Sequence, residues 1–128
     1  HYLQMNKSTL EHFSDLYMYD SSVYDEKGRP PKKTLHLIEI PIHIMDTYLF
    51  SPFYKNFTIE QAKEYTKKML NKAKKNKRPL VFDLHPHHYC DCFPRHKQYI
   101  DWLYSYITKN KIERYKVNEI INIHDKKP

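Results

Sequence analysis

The chain has 128 residues, enough for one domain built on one core. Charged residues make up 29% and hydrophobic residues 40%, and no apolar run approaches the roughly 18 residues that a membrane-spanning helix needs. The net charge of +7, from 22 Lys and Arg against 15 Asp and Glu, admits anionic partners, but most of the lysines fall on solvated helix faces and in the 72–78 run, so nucleic acid is the weaker reading.

The chain starts at His1 rather than Met, as expected of a processed product or a fragment with a portion upstream. Its first fifteen residues are polar and aromatic and lack the charged and apolar regions of a signal peptide. Ser8-Thr9-Leu10-Glu11 reads as a capping box opening a helix to about Leu16. Tyr17 to Asp20 reads as a short aromatic strand, and Asp20-Ser21-Ser22 as a turn. Val23 to Lys33 is a loop holding the only glycine, Gly28, and the Pro30-Pro31 pair. Leu35 to Ile40 alternates as a strand, closed by Pro41. An apolar segment from Ile42 then ends at Asp46, followed by an aromatic loop from Tyr48 to Phe57.

Thr58-Ile59-Glu60-Gln61 is a second capping box, predicting a helix over 59–75 with Ile59, Ala62, Tyr65, Met69 and Ala73 on one face. Leu80 to Leu84 lies between Pro79 and Pro86 and reads as a core strand. Pro94 suits a first helical turn, and Tyr99, Trp102, Leu103, Tyr106 and Ile107 mark the clearest helix. Tyr115 to Val117 reads as a last strand, with Asn118 capping a final turn. Helices alternating with short apolar strands imply an α/β fold with parallel strands and covering helices.

His85 stands out among the residues that carry chemistry. It lies at the carboxyl end of a strand, where α/β folds build their sites, and Pro86 restricts its backbone. An imidazole there suits general acid work near neutral pH. Asp20 is either an Asx-turn acceptor or a carboxylate that orients a histidine. Asp46 is either a loop-capping carboxylate or part of a substrate groove. His85, His87, His88, Cys90 and Cys92 resemble a metal cluster, but their spacing does not match structural zinc sites. In an extended segment His85 and His87 would share a face and His88 would point away. The two cysteines are too close for an ordinary disulfide, which favours a reduced protein and leaves cytoplasm and cell envelope open as locations. Tyr48, Phe50, Phe53, Tyr54 and Phe57 are candidates for a sugar-stacking groove or for plain loop packing.

The series His1-Tyr2-Leu3, Tyr19-Asp20-Ser21-Ser22, Gly28-Arg29, Ile38-Glu39-Ile40-Pro41 with Met45-Asp46-Thr47, and Leu84-His85-Pro86 resembles the carboxyl-terminal half of NodB-type polysaccharide deacetylases. The resemblance covers nearly the whole chain. It implies a partial distorted (β/α) barrel, residues 1–128 forming the C-terminal part of a longer domain that removes N-acetyl groups from a surface polysaccharide. It implies a divalent metal, zinc or similar, with ligands upstream of this chain. His85 then protonates the leaving amine and Asp20 supports it, while His1, Tyr2 and Asp46 line the substrate groove. The chain departs from the family pattern in lacking the metal triad and in lacking the aromatic residue usual between Gly28 and Arg29, so alone it is not expected to be a competent deacetylase. The rivals are a non-catalytic glycan-binding module of the same fold and a basic nucleic-acid-binding module. Open sheet edges of a half-barrel would need cover from a second copy or from an upstream half.

Overall fold

The structure is a computed structural model and describes residues 6–34 and 36–125. Its elements in chain order are α1 (Lys7–Ser14), β1 (Tyr19–Asp20), β2 (Lys32–Thr34), β3 (Leu37–Glu39), β4 (Ile44–Met45), α2 (Asp46–Phe50), α3 (Ile59–Lys75), β5 (Phe82–Asp83), a 3-10 turn (Pro86–His88), α4 (Pro94–Lys109) and α5 (Val117–Asp125). This is a mixed α/β fold of short strands, with no closed barrel among the described residues. The chain divides into two compact units, one of residues 1–43 with 115–128 and one of residues 44–114.

The first unit is built on a three-stranded sheet in the order β1-β3-β2. β1 pairs parallel to β3, with Asp20 opposite Glu39, and β2 pairs antiparallel to it, with Lys32 opposite Glu39. The sheet is therefore mixed rather than purely parallel: the residues after Pro30-Pro31, read from sequence as loop, supply an edge strand. Leu37, Ile38, Ile40 and Ile42 are buried. α1 opens two residues before the Ser8 box, because Asn6 is its N-cap and accepts from the Thr9 amide at 2.9 Å. A loop is folded around the buried Asp25, which accepts from the Lys27 and Arg29 amides and from Arg29 Nε. Gly28 takes φ 68° within it, a left-handed conformation that suits glycine. Residues 115 and 116 do not form the expected strand. The Glu119 carboxylate turns back to accept from the Lys116 amide at 2.6 Å and caps α5 instead.

The second unit packs α3 and α4 against the parallel pair β4–β5. Its core is Ile44, Leu49, Phe50, Ala62, Met69, Tyr99, Ile100 and Leu103. α3 follows its sequence signal residue for residue: Thr58 Oγ1 accepts from the Gln61 amide and the Gln61 side chain accepts from the Thr58 amide. Thr66 and Tyr99 share a buried 2.7 Å hydrogen bond between α3 and α4, so neither hydroxyl is left without a partner in the core. Burial pushes the Tyr99 phenol well above its ordinary range. The aromatic segment after Asp46 is partly helical, since α2 occupies Asp46–Phe50 where the sequence suggested a loop.

Candidate functional site

The site lies at the carboxyl ends of β4 and β5, within the second unit. Ile44 pairs with Phe82 and Met45 with Asp83, and the Ile44 amide donates to the Val81 carbonyl. Parallel pairing brings the residues that leave the two strands to one end of the sheet, the place where α/β folds build sites. Asp46 leaves β4 and starts α2, where a carboxylate is favoured by the helix N-terminus. His85 follows two residues after β5 and precedes the 3-10 turn Pro86–His88, with Pro86 in its first position. In a 3-10 turn residues i and i+3 eclipse. His88 therefore returns to the side of His85, which corrects the extended reading that paired His85 with His87.

Asp46 is fully buried and gathers the group. Its Oδ1 accepts from the Thr47 amide at 2.7 Å and lies 2.6 Å from His85 Nδ1. Its Oδ2 accepts from the His85 amide at 3.0 Å and lies 2.9 Å from His88 Nδ1. An ionised carboxylate only accepts, so both Nδ1 atoms carry protons and each Nε2 is left as the free ring nitrogen. Burial alone would raise the Asp46 pKa, but the His85 amide and the two imidazoles outweigh it and hold the carboxyl below its ordinary value. The His85 side chain is 33% exposed and the His88 side chain 11%, so His85 is the member that can meet a substrate.

Further rings close around the group. His87 lies 4.2 Å from the His88 ring, and His96 of α4 lies 4.3 Å from it. Burial, with His88 beside it, lowers the His96 pKa to about 4, so His96 is a neutral packing ring at physiological pH. Cys90 donates weakly to the His87 carbonyl and Cys92 is exposed, and both are free thiols. Neither belongs to the Asp46 group, nor does His87.

Asp20 lies in the first unit, where its carboxylate accepts from the Ser22 amide and hydroxyl. It is the Asx-type turn acceptor of the plainer reading. The carboxylate in contact with His85 is that of Asp46. His1 and Tyr2 lie outside the described residues.

The ligand atoms of buried Asp46 and His88 and of part-exposed His85 lie within 4.8 Å of one another. Two imidazoles and a carboxylate are a donor set that suits zinc, so the residues fit a metal chemically. A cation held through Nδ1 would have to displace both imidazole hydrogen bonds to Asp46. The sequence pattern places His88 in the metal-like cluster but points it away from His85; Pro86, two residues before it, opens the turn that brings it back.

Compared with protein-family models, with curated proteins and with solved structures, the chain matches none.

Proposed function

We propose that this chain forms part of a metal-dependent polysaccharide deacetylase acting on the N-acetyl groups of a glycan, and that His85, backed by Asp46, is its proton donor. The observation that carries the reading is the 2.6 Å contact between His85 Nδ1 and a fully buried carboxylate, with the imidazole itself part-exposed. Such a carboxylate fixes the tautomer, orients the ring and stabilises the imidazolium form. In amide hydrolysis the water oxygen bonds to the acetyl carbon as a general base from outside these residues takes its proton, the C–N bond breaks, and the departing nitrogen takes a proton. In its proton-donating form His85 carries that proton on Nε2, while Asp46 holds the ring through Nδ1. A bound metal would supply Lewis-acid polarisation of the carbonyl, with ligands from outside these residues.

The test is acetate release from an N-acetylated oligosaccharide by the native polypeptide. The His85→Ala variant is expected to lose about 10²–10⁴-fold in kcat. Unchanged kcat in that variant, or no acetate release by the native protein, overturns the reading.

The proximity of three ligand atoms favours a second reading, in which Asp46, His85 and His88 themselves hold a divalent cation. Zinc titration of the wild type against His88→Ala separates the two.

A further inference from the structure

Residues 51–56, Ser-Pro-Phe-Tyr-Lys-Asn, join α2 to α3 and present aromatic rings to solvent. Phe53 is 90% exposed and Tyr54 53% exposed. Tyr54 stacks on Tyr48, with ring centroids 4.0 Å apart and planes 16° apart. Phe50 and Phe57 turn the other way and pack into the core.

The loop is held in one shape. Its backbone amides are tied by Tyr54 to Ser51, Lys55 to Tyr48, Asn56 to Ser51 and Phe57 to Leu49. Asn56 closes it at φ 45°, a left-handed conformation that Asn tolerates. Arg95 of α4 fastens it from below, donating to Asn56 Oδ1 and to the Phe57 and Phe50 carbonyls. A nearly bare phenylalanine on a mobile tip would need no explanation, but one on a tethered loop does.

The tethering also links this loop to the Asp46 group. Asp46 and Tyr48 belong to the same helix. His96, next to Arg95, packs its ring on Phe50 at 4.8 Å and on His88 at 4.3 Å. One end of α4 therefore anchors both the aromatic loop and the histidine site.

We infer that Phe53 and the Tyr48–Tyr54 stack form a binding platform for successive sugar rings of a glycan chain whose reacting unit sits at His85. The inference rests on the deacetylase reading for its substrate class. A pyranose with equatorial substituents offers a flat face of C–H bonds edged by hydroxyls. Flat, amphipathic rings on a rigid support match that shape at low entropic cost. No Leu, Ile, Val or Met accompanies the rings in 51–56, and the loop is not the amphipathic helix with a Lys/Arg-rich face that lies in a lipid surface.

The experiment compares the pentamer and the monomer of β-1,4-linked N-acetylglucosamine on the native polypeptide and on Phe53→Ala/Tyr54→Ala. Isothermal titration measures binding, and acetate release measures kcat/KM. Both rings are solvent-facing, so the variant keeps the fold, which circular dichroism verifies. The variant is expected to bind the pentamer about tenfold more weakly, with the pentamer-to-monomer ratio of kcat/KM falling by a similar factor. Phe53→Trp with Tyr54 intact is expected to retain tight pentamer binding. Pentamer binding lost in the variant without acetate release from any form would keep the platform and reject the deacetylase reading. Acetate release with pentamer binding equal in both forms would reject the platform and keep the deacetylase reading. No pentamer binding by the native protein rejects the platform outright.

Discussion

Asp46 accepts from two backbone amides and two imidazoles, and these donors fill the four lone-pair positions of its carboxylate. That saturation favours proton chemistry over cation coordination at this group. Titration of the native polypeptide with zinc is therefore expected to show only weak binding, from exposed groups such as His87 and Cys92, at the same level in His88→Ala. Tight one-to-one binding in the wild type that disappears in His88→Ala would transfer the assignment to an Asp-His-His metal site. At this scale the sequence was informative about His85, because Pro79 and Pro86 bracket the strand that presents it. It was less informative about Asp46, visible as the end of an apolar run but not as the partner of His85. The pairing depends on β4 lying beside β5, and tertiary register of two-residue strands leaves no local trace. His88 was legible in the cluster but on the wrong side, because a period of three, not two, governs the turn that carries it.

Among the elements, α3 was fully legible, since a capping box and a 3.6-residue stripe agree over seventeen positions. The strands were not, because two or three residues cannot display a period. The β1–β3 pairing shows what their register creates. It sets Asp20 beside Glu39, with Lys32 opposite on β2. Burial, and then the Asp20 carboxyl, push the Glu39 pKa up to about 8 from 4.5. The native state thus holds a proton that the unfolded chain releases from pH 4.5 upward. Stability must fall as pH rises between about 4.5 and 8, then level off once Glu39 is ionised in both states. Glu39→Gln removes this slope. Its stabilisation over wild type is expected to be near zero at pH 4.5 and about 1–2 kcal/mol at pH 8, because solvent screens a half-buried carboxyl. Asp46 has the opposite sign, losing its contribution as pH falls through its lowered pKa, but it is present in both proteins and cancels in the difference. Thermal melts across this pH range measure the gap, and a gap independent of pH would show that Glu39 titrates as an ordinary carboxylate.

At the scale of the molecule, the α/β class was legible from the alternation of helical and apolar segments, whereas the mixed sheet and the division into two units were not. The charge of +7 is a whole-molecule property, and several of its lysines are committed to helix faces and ends. Lys63 pairs with Glu60 and Lys67 with Glu64 along α3, each at 2.8 Å, and Lys97 pairs with Asp91 at 2.6 Å. Lys72, Lys74 and Lys75 occupy the last turn of α3, where cations complement the helix carbonyl end. These placements serve helix stability. Lys55, inside the aromatic loop, sets its ammonium over the Phe57 and Tyr65 rings. Affinity for duplex or single-stranded DNA is therefore expected to be weak, with a log–log salt slope shallower than about −4 and little binding left at about 0.2 M salt. A slope of about −6 or steeper, with submicromolar affinity persisting at that salt, would require many phosphate contacts and would make a polyanion the partner of this charge.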